Sequence, residues 1–216
     1  MSDYNPFNPL DRENLAASVG EALLEKEPVE LGNLESFVGA GVYAIYYTGD
    51  FAPYRKLADA NTDRMWRAPI YVGKAIPAGG RKGGMSSNAK PKPYLKKRLD
   101  EHAESIRSAA STLNIDDFFC RYLVVEDIWI PLGENLMISR FSPIWNTLID
   151  GFGNHDPGKG RYNGLRPRWD VLHPGRGWAE KCKERPETSE TIAREIEDYL
   201  RTRPVGIGQK LFKRDE

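Results

Sequence analysis

The chain has 216 residues, 40% of them hydrophobic and 29% charged, proportions that exclude wholesale disorder and a membrane-embedded protein. That length predicts one compact domain with extensions. Its 31 basic residues balance 31 acidic ones, so any affinity for a polyanion must come from local charge rather than net charge.

No run approaches the roughly 18 apolar residues of a membrane span. The N-terminal MSDYNPFNPLDRENL carries acids and prolines where a signal peptide needs a basic start and an apolar stretch. A cytoplasmic protein with no membrane partner is expected. Cys120 and Cys182 lack a second cysteine or a histidine at zinc-ligand spacing, so two reduced thiols are expected rather than a disulfide framework or a zinc site.

Charge is segregated along the chain. Residues 1 to 36 hold eight acids against Arg12 and Lys26, whereas residues 74 to 98 hold Lys74, Arg81, Lys82, Lys90, Lys92, Lys96, Lys97 and Arg98 with no acid. A second basic stretch, residues 157 to 185, carries Lys159, Arg161, Arg166, Arg168, Arg176, Lys181, Lys183 and Arg185. Two basic loops suit a phosphate-rich partner, and equally a solvated surface.

In chain order, Leu15, Val19 and Leu23 recur at helical spacing and predict an amphipathic helix over 11 to 27, ended by Pro28. GVYAIYY (41 to 47) and APIYVG (68 to 73) are short, β-branched and aromatic, and predict two strands buried on both faces. The interval from Thr48 to Arg67 is long for a hairpin and implies an inserted excursion. PAGGRKGGMSSNAKPKP (77 to 93) predicts a surface loop. A helix follows from Pro93 to about Ser111 with Leu95, Leu99, His102 and Ile106 on its inner stripe, then a third strand in DDFFCRYLVVED. Pro131 opens a short helix carrying Glu134 near its first turn, and Pro143 separates that helix from FSPIWNTL. Residues 151 to 177 show no apolar period and predict a long loop; Ile192, Ile196 and Leu200 predict a last helix over 187 to 203.

Several residues could carry chemistry. Tyr43 and Tyr71 would lie side by side if their strands pair, with Gly73 leaving room for a bulky ligand; alone, they read as core tyrosines. Arg98 stands four residues before His102 and shares its helix face, suited to gripping a phosphate, or to pairing with Glu101 or Asp100. Glu134 is the hard oxygen ligand that Mg²⁺ prefers, or a helix-dipole acid. Asn146 could bind a phosphate or a metal-bound water, or cap a turn.

Together, Gly41-Val42-Tyr43, Tyr71-Val72-Gly73, Arg98 with His102, Glu134 and Asn146 resemble the GIY-YIG nuclease superfamily. The loop GNHDPGKGRYNGLRPRWDVLHPGRGWAEK further resembles the type II restriction endonucleases of that superfamily that cut CCGCGG. The likeness runs from residue 37 to 182. Val replaces Ile in both motifs, and a His stands where many relatives have a tyrosine.

The resemblance implies an α/β (α+β) fold: a small, mostly antiparallel three-stranded sheet flanked by helices, with long loop insertions. It divides the chain into an acidic helical extension (1 to 36), a catalytic domain with DNA-recognition loops (37 to 182) and a C-terminal helical extension (183 to 216). It implies Mg²⁺ on Glu134, with Mn²⁺ as a substitute. Tyr43 would be the general base, His102 or Lys74 would assist the proton, and Tyr71 and Arg98 would hold the scissile phosphate. Double-stranded DNA would be bound by Arg81, Lys82, Lys90, Lys92, Lys97, Lys159, Arg161, Arg166, Arg168 and Arg176, since arginine is the commonest reader of guanine. A palindromic site implies a homodimer, and a restriction enzyme a cognate methyltransferase.

Rival readings are weaker. His155, Asn163 and His173 are spaced too closely at first for an HNH site. AGGRKGG lacks the Lys-Ser or Lys-Thr pair of a P-loop, neither cysteine suits a thiol protease, and the Pro-Asp and Glu-x-Lys pairs of a PD-(D/E)xK nuclease are missing. A non-catalytic DNA-binding protein, or a repair or mobile-element GIY-YIG nuclease, remains an alternative.

Overall fold

The computed structural model describes residues 8, 10–77, 92–203 and 205. Its centre is a fully antiparallel sheet of four strands, β1 (Val29–Glu30), β2 (Gly41–Tyr47), β3 (Pro69–Ala75) and β4 (Phe118–Val124), in the order β1-β4-β2-β3. The expected class holds, with one strand more than expected: β1 pairs only Val29 and Glu30 with Cys120 and Phe119, and two residues leave no periodic trace.

All seven residues of β2 are buried because it lies between two strands and is covered on both faces. Tyr43, Ile45 and Tyr47 enter one apolar cluster, while Val42, Ala44 and Tyr46 enter the other, the alternation that strand geometry imposes. Helix α1 (Arg12–Leu24) contributes Val19 and Leu23 to the second cluster, and α4 (Ile130–Phe141) contributes Ile130 and Met137.

The Tyr43 face is covered by α3 (Tyr94–Ser108), whose Leu95, Leu99, His102 and Ile106 form the expected inner stripe. The C-terminal helix α7 (Ser189–Thr202) sends Ile192, Ile196 and Leu200 into the same cluster as Tyr43, so it packs as part of the main core. Between β2 and β3 the excursion folds into α2 (Arg55–Asn61). The buried Asn61 amide closes it by bonding Tyr47 O, Ala68 O and Ala68 N at 2.9 to 3.0 Å.

After α5 (Ile144–Thr147) comes the segment expected to be a long loop. It is in fact anchored by a short helix, α6 (Arg168–Leu172), and by Phe152, Trp169 and Leu172 in the main core. Single aromatic anchors separated by many residues have no period to detect. Among the described residues no helix is long and apolar enough to cross a membrane.

Candidate active site

Tyr43 on β2 faces Gly73 on β3, and Tyr71 stands opposite Ile45 on the same sheet face. The two phenol rings lie 6.2 Å apart. A Cβ on Gly73 would overlap the hydroxyl end of Tyr43, so glycine makes room for the tyrosine itself and not for a bulky ligand, as had been expected.

Helix α3 presents His102 beneath these rings, and the Tyr43 hydroxyl lies 2.6 Å from His102 Nε2. Burial, chiefly, pushes the Tyr43 phenol well above its usual range, with Tyr71 adding to the rise and the Arg98 guanidinium opposing it. Burial likewise holds His102 well below its usual range, and Arg98 and other cations push the same way. At neutral pH the pair is therefore a phenol and a neutral imidazole. Tyr43 is completely buried, being on an internal strand under α3. Of the two phenols, Tyr71, half-buried on the edge strand, is the one that reaches the surface, and it is raised first by burial.

Arg98 lies one helical turn before His102. Its Nη1 donates to Glu101 at 3.2 Å and to His155 Nε2 at 2.5 Å, and its Nη2 donates to Gly153 O at 2.6 Å. Phe152 lies flat on His102, centroids 4.5 Å apart at 15°, and meets Tyr71 edge-on at 5.0 Å. Phe152, Gly153, His155 and Glu101 were missed as site residues. The sequence signal was an aromatic between glycines and a nearby histidine, GFGNH, inside a segment read as loop.

Glu134 occupies the second turn of α4 and not the first, because that helix begins at Ile130. Its carboxylate accepts Lys74 Nζ at 2.5 Å, with side chains 14% and 34% exposed. Its negative charge raises both phenols, so it acts on the same site as the tyrosines. No three His, Cys, Asp or Glu side chains converge as a metal cage among the described residues. One accessible carboxylate matches Mg²⁺, which takes one or two carboxylates and fills its shell with water and phosphate oxygens. It does not match zinc, which needs three or four protein ligands.

Asn146 is not poised for a phosphate or a metal-bound water, nor does it cap a turn. Its Oδ1 accepts Val72 N and its Nδ2 donates to Val72 O, both at 2.8 Å. The amide thus replaces the missing neighbour strand at the edge of β3.

The expected DNA-binding residues separate into three groups. Arg81, Lys82 and Lys90 lie outside the described residues. Lys92, Lys97, Lys159 and Arg161 are exposed. Arg166 donates to Ala179 O at 3.1 Å, and Arg168 is paired with Glu195.

Arg176, expected to read bases, is only 6% exposed. Its Nε and Nη2 hold Asp170 at 2.6 and 2.5 Å, and its remaining donors hold the carbonyls of Gly151, Phe152 and Asn154. All five guanidinium N–H groups are used, and the plane lies over the rings of Trp169 and Trp178. No donor remains for a guanine.

The rival sites do not assemble. His173 is fully buried between Tyr54 and Thr112, whereas His155 is 62% exposed beside Arg98. Cys120 and Cys182 are buried, and burial pushes the Cys120 thiol up to about 12, the opposite of a reactive thiolate. A family model described as Eco29kI GIY-YIG domain matches residues 35–200. No curated protein sequence matches the chain.

Proposed function

The chain belongs to the Eco29kI GIY-YIG domain family, a restriction-type nuclease family, and from that premise we propose a type II restriction endonuclease. It hydrolyses phosphodiester bonds of double-stranded DNA at a GC-rich palindrome, CCGCGG, as a homodimer in the cytoplasm, alongside a protecting methyltransferase. The observation that carries this reading is the convergence of Tyr43, His102, Tyr71 and Arg98 beside one accessible carboxylate. A protein that only bound DNA would need none of these together.

Arg98 and Tyr71 hold the scissile phosphate at the mouth of the site, Arg98 exchanging its contacts with Glu101 and His155 for phosphate oxygens. Water attacks phosphorus and gives its proton to the Tyr43 oxygen as the phenolic proton passes to His102 Nε2. A phenol alone is a poor base at neutral pH, and the short hydrogen bond to a neutral imidazole is what makes the transfer feasible. Glu134 would hold Mg²⁺, or Mn²⁺ in its place, and a metal there would supply positive charge near the departing 3′ oxygen. Lys74, paired with that carboxylate, would be the nearby cation left to contact the phosphate. Lys159 and Arg161, exposed on the loop beyond His155, are the candidates for groove contacts.

Plasmid DNA incubated with the protein, with and without Mg²⁺, tests this, alongside Glu134→Ala. Discrete metal-dependent fragments that are lost in the variant are expected, and their sequenced ends reveal the site. Intact plasmid in every lane, with binding retained, would leave a non-catalytic DNA-binding protein.

A further inference from the structure

One wall of the active site belongs neither to the sheet nor to α3. Between Gly151 and His155 the chain lays Phe152 on His102, brings Gly153 O to Arg98 Nη2 and puts His155 Nε2 on Arg98 Nη1. At Gly153 the approach is so close that a Cβ would come within 2.7 Å of the Tyr71 hydroxyl and 3.2 Å of Arg98 Nη2. Irregular backbone of this kind has no sheet or helix to hold it in register, yet it touches three of the groups on which cleavage depends.

What holds it is Arg176. Its guanidinium takes the carbonyls of Gly151, Phe152 and Asn154 at 2.9, 3.1 and 3.2 Å. Asp170 on α6 fixes the guanidinium from the other side through two hydrogen bonds, and the indoles of Trp169 and Trp178 flank it. The planar fork explains why arginine is needed: a lysine ammonium has three donors and no plane, and cannot hold a carboxylate and three carbonyls together.

We propose that Arg176, locked by Asp170, is a positioning residue for cleavage, setting the Phe152–Gly153 wall against His102, Tyr71 and Arg98. The proposal rests on the nuclease reading above. Arg176 touches neither substrate nor reacting atoms; its effect passes through the wall. Displacing catalytic groups by about 1 Å can cost on the order of 100-fold in rate, whereas the exposed loop residues Lys159 and Arg161 are left in place to bind DNA.

The test compares the full-length protein with Arg176→Lys and Gly153→Ala. Two quantities are read: the rate of plasmid cleavage with enzyme in excess and Mg²⁺ present, and the affinity for the same DNA with Ca²⁺ replacing Mg²⁺. Both variants are expected to cleave roughly 10- to 100-fold more slowly with affinity changed less than about twofold. Gly153→Ala keeps the side chains of Arg176, Asp170, Trp169 and Trp178, so it probes the wall even if Arg176→Lys folds poorly. Wild-type cleavage rates in a folded Arg176→Lys protein or in Gly153→Ala would overturn the proposal. So would parallel loss of binding and cleavage in Arg176→Lys, which marks a purely structural residue. A wild-type protein that never cuts, with or without metal, sinks the nuclease reading and the positioning role with it, and the wild-type lanes separate that outcome from the others.

Discussion

The Tyr43 phenol and the His102 imidazole are both fully buried and 2.6 Å apart, and burial drives each towards its neutral form. Such a pair holds one proton between two groups that both resist charge, so Tyr43 can take a proton only as its own passes to His102. Removing the hydroxyl while keeping the ring isolates that function. Tyr43→Phe preserves the packing against Gly73 and Tyr71 but leaves His102 Nε2 unpaired, a loss of about 1 to 3 kcal/mol. Cleavage is expected to fall by roughly 100- to 10,000-fold, the usual contribution of a positioned base, while the protein still melts cooperatively and still binds DNA. Full cleavage by Tyr43→Phe would remove Tyr43 from the base role and leave the half-buried Tyr71 as the better candidate.

At the scale of elements, β3 is an edge strand that must deliver Tyr71, Gly73 and Lys74 to the site in one register. Unpaired edges are prone to slip or to recruit other strands; here the Asn146 amide on α5 pairs with both backbone groups of Val72, next to Tyr71. Asn146→Ala is expected to lower unfolding stability by about 1 to 3 kcal/mol, two net hydrogen bonds with their partners left exposed to water or unsatisfied. Asn146→Asp distinguishes a clamp from a metal ligand. A carboxylate would face Val72 O with like charge and destabilise as much or more, whereas a ligand role predicts that a carboxylate is tolerated. Equilibrium denaturation of the three proteins decides it. That role was hidden in the sequence because an asparagine after a proline fits a phosphate ligand, a turn cap and a strand clamp equally, and only the partner strand discriminates. By contrast the α3 stripe, the two tyrosine strands and the Arg98–His102 face were legible, since four-residue and two-residue periods fix which side chains share a surface. The Phe152 wall and its Arg176 anchor were not, because they depend on contacts between residues that no local period relates. At Arg166, Arg168 and Arg176 arginine content alone pointed to DNA where the side chains are paired within the fold.

The whole molecule packs two apolar clusters on opposite faces of one sheet, and each buried histidine lies in the larger one. His102 bonds Tyr43, and His173 bonds Tyr54 at 2.6 Å through Nε2 and Thr112 at 2.8 Å through Nδ1. Trp145 adds a hydrogen bond to Tyr54 at 2.9 Å, so the second pair satisfies a polar cluster deep in the core with no role in the proposed cleavage. Burial lowers His173 to about 3, and His102 also lies well below its usual value. The unfolded chain therefore binds protons at these positions near pH 6.5, whereas the folded protein does not. Folding stability is then fully present above about pH 6.5 and declines as pH falls below it, for His173 down to about 3 and by on the order of 1.4 kcal/mol per pH unit, with His102 adding in the same direction. Thermal melting between pH 7.5 and 5 should show a steep loss of stability, and His173→Gln, which removes one titrating group, should flatten the slope whatever it does to stability at pH 7.5. An unchanged slope in that variant would mean that His173 is already hydrated or protonated in the folded protein, contrary to its burial between Tyr54 and Thr112.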